Sequence, residues 1–267
     1  MDMPVDAWCQ AALDRHSRRT LDEKAIAPPV FEELEAVCSA GGWGSLVWGR
    51  ATRILIVREL RTNIFKGIVG AYGRIEGAPS CLLFVGDRAV PHMSELLGYA
   101  GEAVLLEATR LGLATCWVGG FFKRERAVEL VSLGPSEEIV AVSPLGYPAD
   151  RQTFSEKLMK TLAGAHKRRE LEVLAPGVTG DGWPEWAQEA VSLARVAPSA
   201  VNRQPWRFRF EDGALIVALD DVKDTYHIPK RLDCGISMLH AEVGARAHGA
   251  PGTWEFLDGV DVARYTV

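Results

Sequence analysis

A chain of 267 residues, 48% of them hydrophobic, can bury a core large enough for one α/β domain or two smaller ones. Its formal net charge of −5 argues against a general affinity for nucleic acid. Cys9, Cys38, Cys81, Cys116 and Cys234 are odd in number and scattered without a CxxC pair, which argues against a disulfide framework or zinc site and suits a reducing cytoplasm. Met1 to Gln10 shows no leader pattern, and no window reaches the roughly twenty apolar residues of a membrane span, so no membrane partner is expected.

The spacing from Ala11 to Thr20 predicts a short helix ending in four positions able to carry positive charge, Arg15, His16, Arg18 and Arg19. Taken alone, such a run is most simply a solvated face. Pro28 and Pro29 lead into a helix over Val30 to Ser39, and Gly41, Gly42, Gly44 and Gly49 then suggest a flexible loop in which Trp43 and Trp48 serve packing. Thr52 to Val57 alternates as a strand does, Asn63 to Gly77 reads as a short helix or an irregular crossing, and Ala78 to Val85 reads as a buried strand. Met93 to Leu111 is apolar around much of its circumference and should form a deep helix that stops at Gly112. Gly119 and Gly120 permit backbone amides to approach a planar ligand, or simply end a strand. Glu137 to Leu145 gives another strand. From Phe154 to Gly182 the chain is polar, with a basic run from His166 to Arg169, and reads as a connecting helix and linker. A helix from about Pro184 is followed by a turn in which Pro198 and Pro205 stiffen the backbone around Ser199 and Asn202; a strand pattern then reaches Leu219, and Ile236 to His248 is again helical.

The segment Ala-Pro-Ser-Ala-Val-Asn-Arg-Gln-Pro-Trp, from Ala197 to Trp206, resembles the Ala-Pro-Ser-x-x-Asn-x-Gln-Pro-Trp signature of the nitroreductase superfamily. In those flavoproteins the loop lies against FMN at a subunit interface. Arg15, Ser17 and Arg19 are similar to the Arg-x-Ser-x-Arg element that holds the FMN phosphate and ribityl chain, with His16 where an Arg is frequent. Leu113 to Phe121 resembles a segment that lies near the flavin ring, and Leu145 to Pro148 the end of the family core, beyond which Arg151 and Lys157 are candidates for a further phosphate contact. The resemblance implies an α+β fold of mixed sheets flanked by helices and a cofactor-binding set of Arg15, His16, Ser17, Arg19, Gly119, Gly120, Lys157, Pro198, Ser199 and Asn202. It implies no catalytic side chain and no metal. FMN would carry electrons from NAD(P)H to a small nitroaromatic or quinone-like acceptor; the competing reading is a non-catalytic flavin-binding or ligand-sensing protein.

One offset of 137 residues aligns Gly112 to Trp117 with Gly249 to Trp254 and Gly98 with Gly235, which suggests an internal duplication. The expected division is 11–150 as a first repeat, 151–182 as connector and 183–267 as a shortened second repeat carrying the signature loop. The arginine element lies in the first repeat and the loop in the second, so one FMN pocket within one chain is expected, in a monomer or weak homodimer. Asp233 reads as a helix-start residue. No Rossmann fingerprint, P-loop or Gly-x-Ser-x-Gly elbow is present, and His227, His240 and His248 read as core or surface residues.

Overall fold

The computed structural model describes residues 2–47, 49, 51–65, 74–149, 167–225 and 227–267. Helix α1 (Val5–Asp14) buries Trp8, Ala11 and Ala12 on one face, and α2 (Pro28–Ser39) buries Phe31, Leu34 and Val37, with its prolines at the helix start where no donor is lost. Between α2 and β3 (Thr52–Val57) runs a tight hairpin of β1 (Gly42–Trp43) and β2 (Leu46–Val47), then come β4 (Ser80–Asp87), α3 (Met93–Arg110), β5 (Ala114–Thr115), α4 (Arg124–Val128) and β6 (Glu137–Gly146). The second half contains α5 (Leu171–Leu174), α6 (Glu185–Ala194), β7 (Trp206–Glu211), β8 (Ala214–Leu219), α7 (Lys230–Ala247), β9 (Thr253–Phe256) and β10 (Asp261–Thr266).

Two four-stranded sheets result, ordered β3-β4-β6-β5 and β7-β8-β10-β9, so each half is a strand pair, an 18-residue helix and a second strand pair in one common order. Helices α3 and α7 start at Met93 and Lys230, the same offset that relates the glycines, and pack against each other. A Cβ on Gly98 would collide with the carbonyl oxygen of Leu232, and one on Gly235 with that of Glu95, so each glycine lets the opposite helix approach. The main core fills the space around these two helices; a smaller one, with Leu83, Val85 and Phe122, covers the other face of the first sheet.

Several expectations need correction. The helix predicted over Ala11 to Thr20 lies earlier, at Val5–Asp14, because the buried face that stabilises it includes Trp8, and Arg15 is already extended. The glycine-rich segment is a hairpin instead of a free loop, its Ser45 N–H and Oγ–H donating to Glu242 at 2.7 and 2.6 Å. The strand reaching Leu219 is two strands, since Asp212 and Gly213 at φ 51° and 77° form the two-residue turn that returns the chain. Named strands pair only antiparallel among the described residues, where mixed sheets were expected; parallel pairing is confined to the isolated bridges Ser17–Thr115 and Thr20–Glu76. Most of the crossing at 63–77, and most of the connector before residue 167, fall outside the described residues.

Candidate functional site

Where α1 ends, Arg15 turns extended at φ −62° and ψ 126°; Arg15 is buried at 6% exposure, His16 is exposed and Ser17 to Thr20 are half-buried. The segment is fixed by backbone pairing, with Arg18 N–H donating to Thr115 O at 2.9 Å and Ser17 bridged to Thr115. This attaches the arginine element to the segment Thr115–Gly120. Nε of Arg15 lies 3.3 Å from Oε1 of Glu102, out of line for a hydrogen bond, and both Nε and Nη1 are buried without a hydrogen-bond partner among the described residues. A buried guanidinium with orphaned donors is the arrangement a bound anion completes.

The signature loop follows α6. Pro198 is buried, Ser199 Oγ accepts the Gln204 N–H at 2.9 Å, and Val201, Asn202 and Gln204 hold φ of 50°, 55° and 48°. For β-branched Val201 this left-handed backbone is strained, and it persists only where surrounding contacts impose it. Asp233, at 2% exposure in the first turn of α7, supplies them: Oδ1 accepts Ala200 N–H at 3.0 Å and Oδ2 accepts Arg203 Nε–H at 2.6 Å. Burial pushes the Asp233 carboxyl up to about 6, against the pull of the Arg203 guanidinium. Arg203 also donates to the carbonyls of Thr225 and Ile228 at 3.2 and 3.0 Å. Ile228 in turn lies so close to Gly119 that a Cβ there would sit 3.1 Å from its Cδ1.

On its other side the loop is gripped by residues 167–169. Arg168 Nη1 donates to Asn202 Oδ1 at 2.7 Å and Nη2 to Val196 O at 2.8 Å, while Asn202 and buried Gln204 both donate to Lys167 O. Arg195 Nε donates to Arg169 O at 2.7 Å. Burial lowers the Arg168 guanidinium to about 10, and the neighbouring charges of Arg15 and Arg195 push the same way while Glu102 opposes them. Arg15, Arg168 and Arg195 therefore share one electrostatic field with Glu102, an excess of positive charge suited to a phosphate dianion.

A family model described as "Putative TM nitroreductase" matches residues 9–245. The chain belongs to this nitroreductase family. Among solved structures, that of a "putative nitroreductase" from Thermotoga maritima is 21% identical, covers 97% of this chain and 92% of its own, and superposes with a TM-score of 0.59, which supports the fold. A nitroreductase family protein from Clostridium novyi (18% identity, 54% of this chain and 86% of its own, TM-score 0.44) and a nitroreductase with bound FMN from Bacteroides fragilis (16%, 55% and 91%, TM-score 0.42) are more distant. No curated protein matches the chain.

In this nitroreductase the expected site residues divide by position. Arg15 lies near enough to Arg168 for their charges to interact, and Arg168 bonds Asn202 of the loop; Ser17 and Arg19 follow Arg15, the carbonyl of Arg19 accepting the Glu76 N–H at 2.9 Å; Gly119 and Gly120 form a bend after the Val118–Val142 bridge, Gly119 beside Ile228. His16 is exposed, and Lys157 and Arg151 lie outside the described residues. Arg168 and Glu102 were not anticipated. Arg168 stood in the basic run taken for a linker, and its signal was the basic residue expected beyond Pro148. Glu102 stood inside a largely apolar helix pattern, one of three glutamates with Glu95 and Glu107, and nothing in the sequence singled it out.

Proposed function

We infer that the chain is an FMN-binding oxidoreductase of the cytoplasm, carrying electrons from NAD(P)H to a small nitroaromatic or quinone-like acceptor. The observation that carries this is two arginines, buried Arg15 with its orphaned donors and half-buried Arg168 tied to the signature Asn202. Arg15 and Arg168 would hold the phosphate through charge-assisted bonds, with Ser17 and Arg19 along the polyol. Ser199, Asn202 and the amides of Gly119 and Gly120 would face the ring, stabilising negative charge as the ring is reduced. Held there, FMN would supply two-electron chemistry between NAD(P)H and the acceptor. No side chain is needed as acid or base.

The reading includes an internal duplication with repeats at 11–150 and 183–267 joined by 151–182, supported by the shared strand order and the reciprocal contacts of Gly98 and Gly235. One pocket per chain is supported by the β1–β2 hairpin, which stands between α2 and β3 where the signature loop stands between α6 and β7. The hairpin is pinned to α7 by Glu242, which also accepts Tyr99 Oη–H at 2.8 Å. A monomer or weak homodimer is expected, since the interface between halves is internal. Steady-state NAD(P)H oxidation by FMN-loaded protein with an added quinone tests the activity: turnover above free FMN is expected, and tight FMN binding without turnover would favour a flavin-binding protein that is not an enzyme.

A further inference from the structure

Glu102 is fully buried on α3, yet its two oxygens serve three side chains from three other parts of the fold. Oε2 accepts Trp117 Nε1–H at 2.7 Å; Oε1 lies 3.0 Å from Nε2 of His240 on α7 and 3.3 Å from Nε of Arg15. The other ring nitrogen of His240 lies 3.3 Å from the carbonyl oxygen of Leu193, next to the last residue of α6 and just before the signature loop. One carboxylate thus sits where the arginine element, both long helices and the stem of the loop meet. Apolar side chains fill such a position more favourably than a carboxylate stripped of water, so packing alone does not account for it.

The consequence is the direction of Arg15. A guanidinium is planar and rigid, so drawing its Nε edge toward a carboxylate restricts where its other donors can point. Glu102 does this at ion-pair distance without using a hydrogen bond, which leaves Nε and Nη1 of Arg15 without a hydrogen-bond partner among the described residues. The geometry points to Glu102 as a positioning residue that holds Arg15 ready for the FMN phosphate, an inference that rests on the FMN reading above. Simple charge predicts the opposite, because a carboxylate near a phosphate repels it and removing that charge would tighten binding.

The two accounts separate in titrations of flavin-free protein with FMN and with riboflavin, which lacks the phosphate. In Glu102→Gln, FMN affinity should fall about tenfold or more while riboflavin affinity stays within about twofold. Glu102→Asp keeps the charge but withdraws it by one methylene, and should lose the same preference for FMN; it carries the test if the Gln variant does not fold. Unchanged or tighter FMN binding, or equal losses for both flavins, would overturn the inference. Parent protein that binds neither flavin would overturn the FMN reading itself, and the inference with it.

Discussion

Asp233 illustrates how a single side chain can hold a strained loop. It satisfies one backbone N–H and one guanidinium of a segment with three residues at positive φ. Asp233→Ala leaves the Arg203 charge buried without its partner and should destabilise the fold by about 3 kcal/mol in urea titrations. Amide exchange at Ala200 should accelerate as well. Arg168→Ala should weaken FMN binding by about tenfold to a hundredfold, the loss of one or more charge-assisted bonds, as read by flavin fluorescence. These residues differ in how far the sequence revealed them. Arg15, Ser17, Ser199 and Asn202 stand in motifs with fixed spacing, so residue type and order alone bring them forward as candidates. Glu102 and His240 meet across 138 positions, and Arg168 meets Asn202 across 34; only the folded chain brings such pairs together.

Among the elements, β3 and the two long helices were legible because their apolar patterns run long or alternate cleanly. Strands β9 and β10 were not, since charged and polar residues interrupt them: Glu255 is exposed between buried Trp254 and half-buried Phe256. Helix contact is where the glycines count. Gly98→Ala and Gly235→Ala each drive a methyl into a backbone carbonyl that cannot rotate away, and each should cost about 3 kcal/mol or more in thermal or urea unfolding. Gly182→Ala meets nothing within 4 Å and should stay within about 0.5 kcal/mol of the parent. Across the first sheet, Arg53 on β3 grips Glu137 on β6 through two hydrogen bonds of 2.7 and 2.6 Å. Those bonds and the Gly134 N–H hold the Glu137 carboxyl below its usual 4.5, so its contribution is present above that value and lost as pH falls through the lowered one. Glu137→Gln should therefore cost at most about 1 kcal/mol at neutral pH, because solvent screens the half-exposed pair, and the difference from the parent should close in acid.

For the molecule as a whole, the same strand order appears twice, and the two 18-residue helices that join the halves lie side by side. The arginine element belongs to one half and the signature loop to the other, where Arg168 holds Asn202. That division makes the central claim quantitative: one FMN seated between two halves of one chain. Equilibrium titration of flavin-free protein with FMN, followed by fluorescence at protein concentrations well above Kd, gives the stoichiometry directly. The account predicts saturation at one FMN per chain. Saturation at two, or no binding with excess FMN, would contradict it.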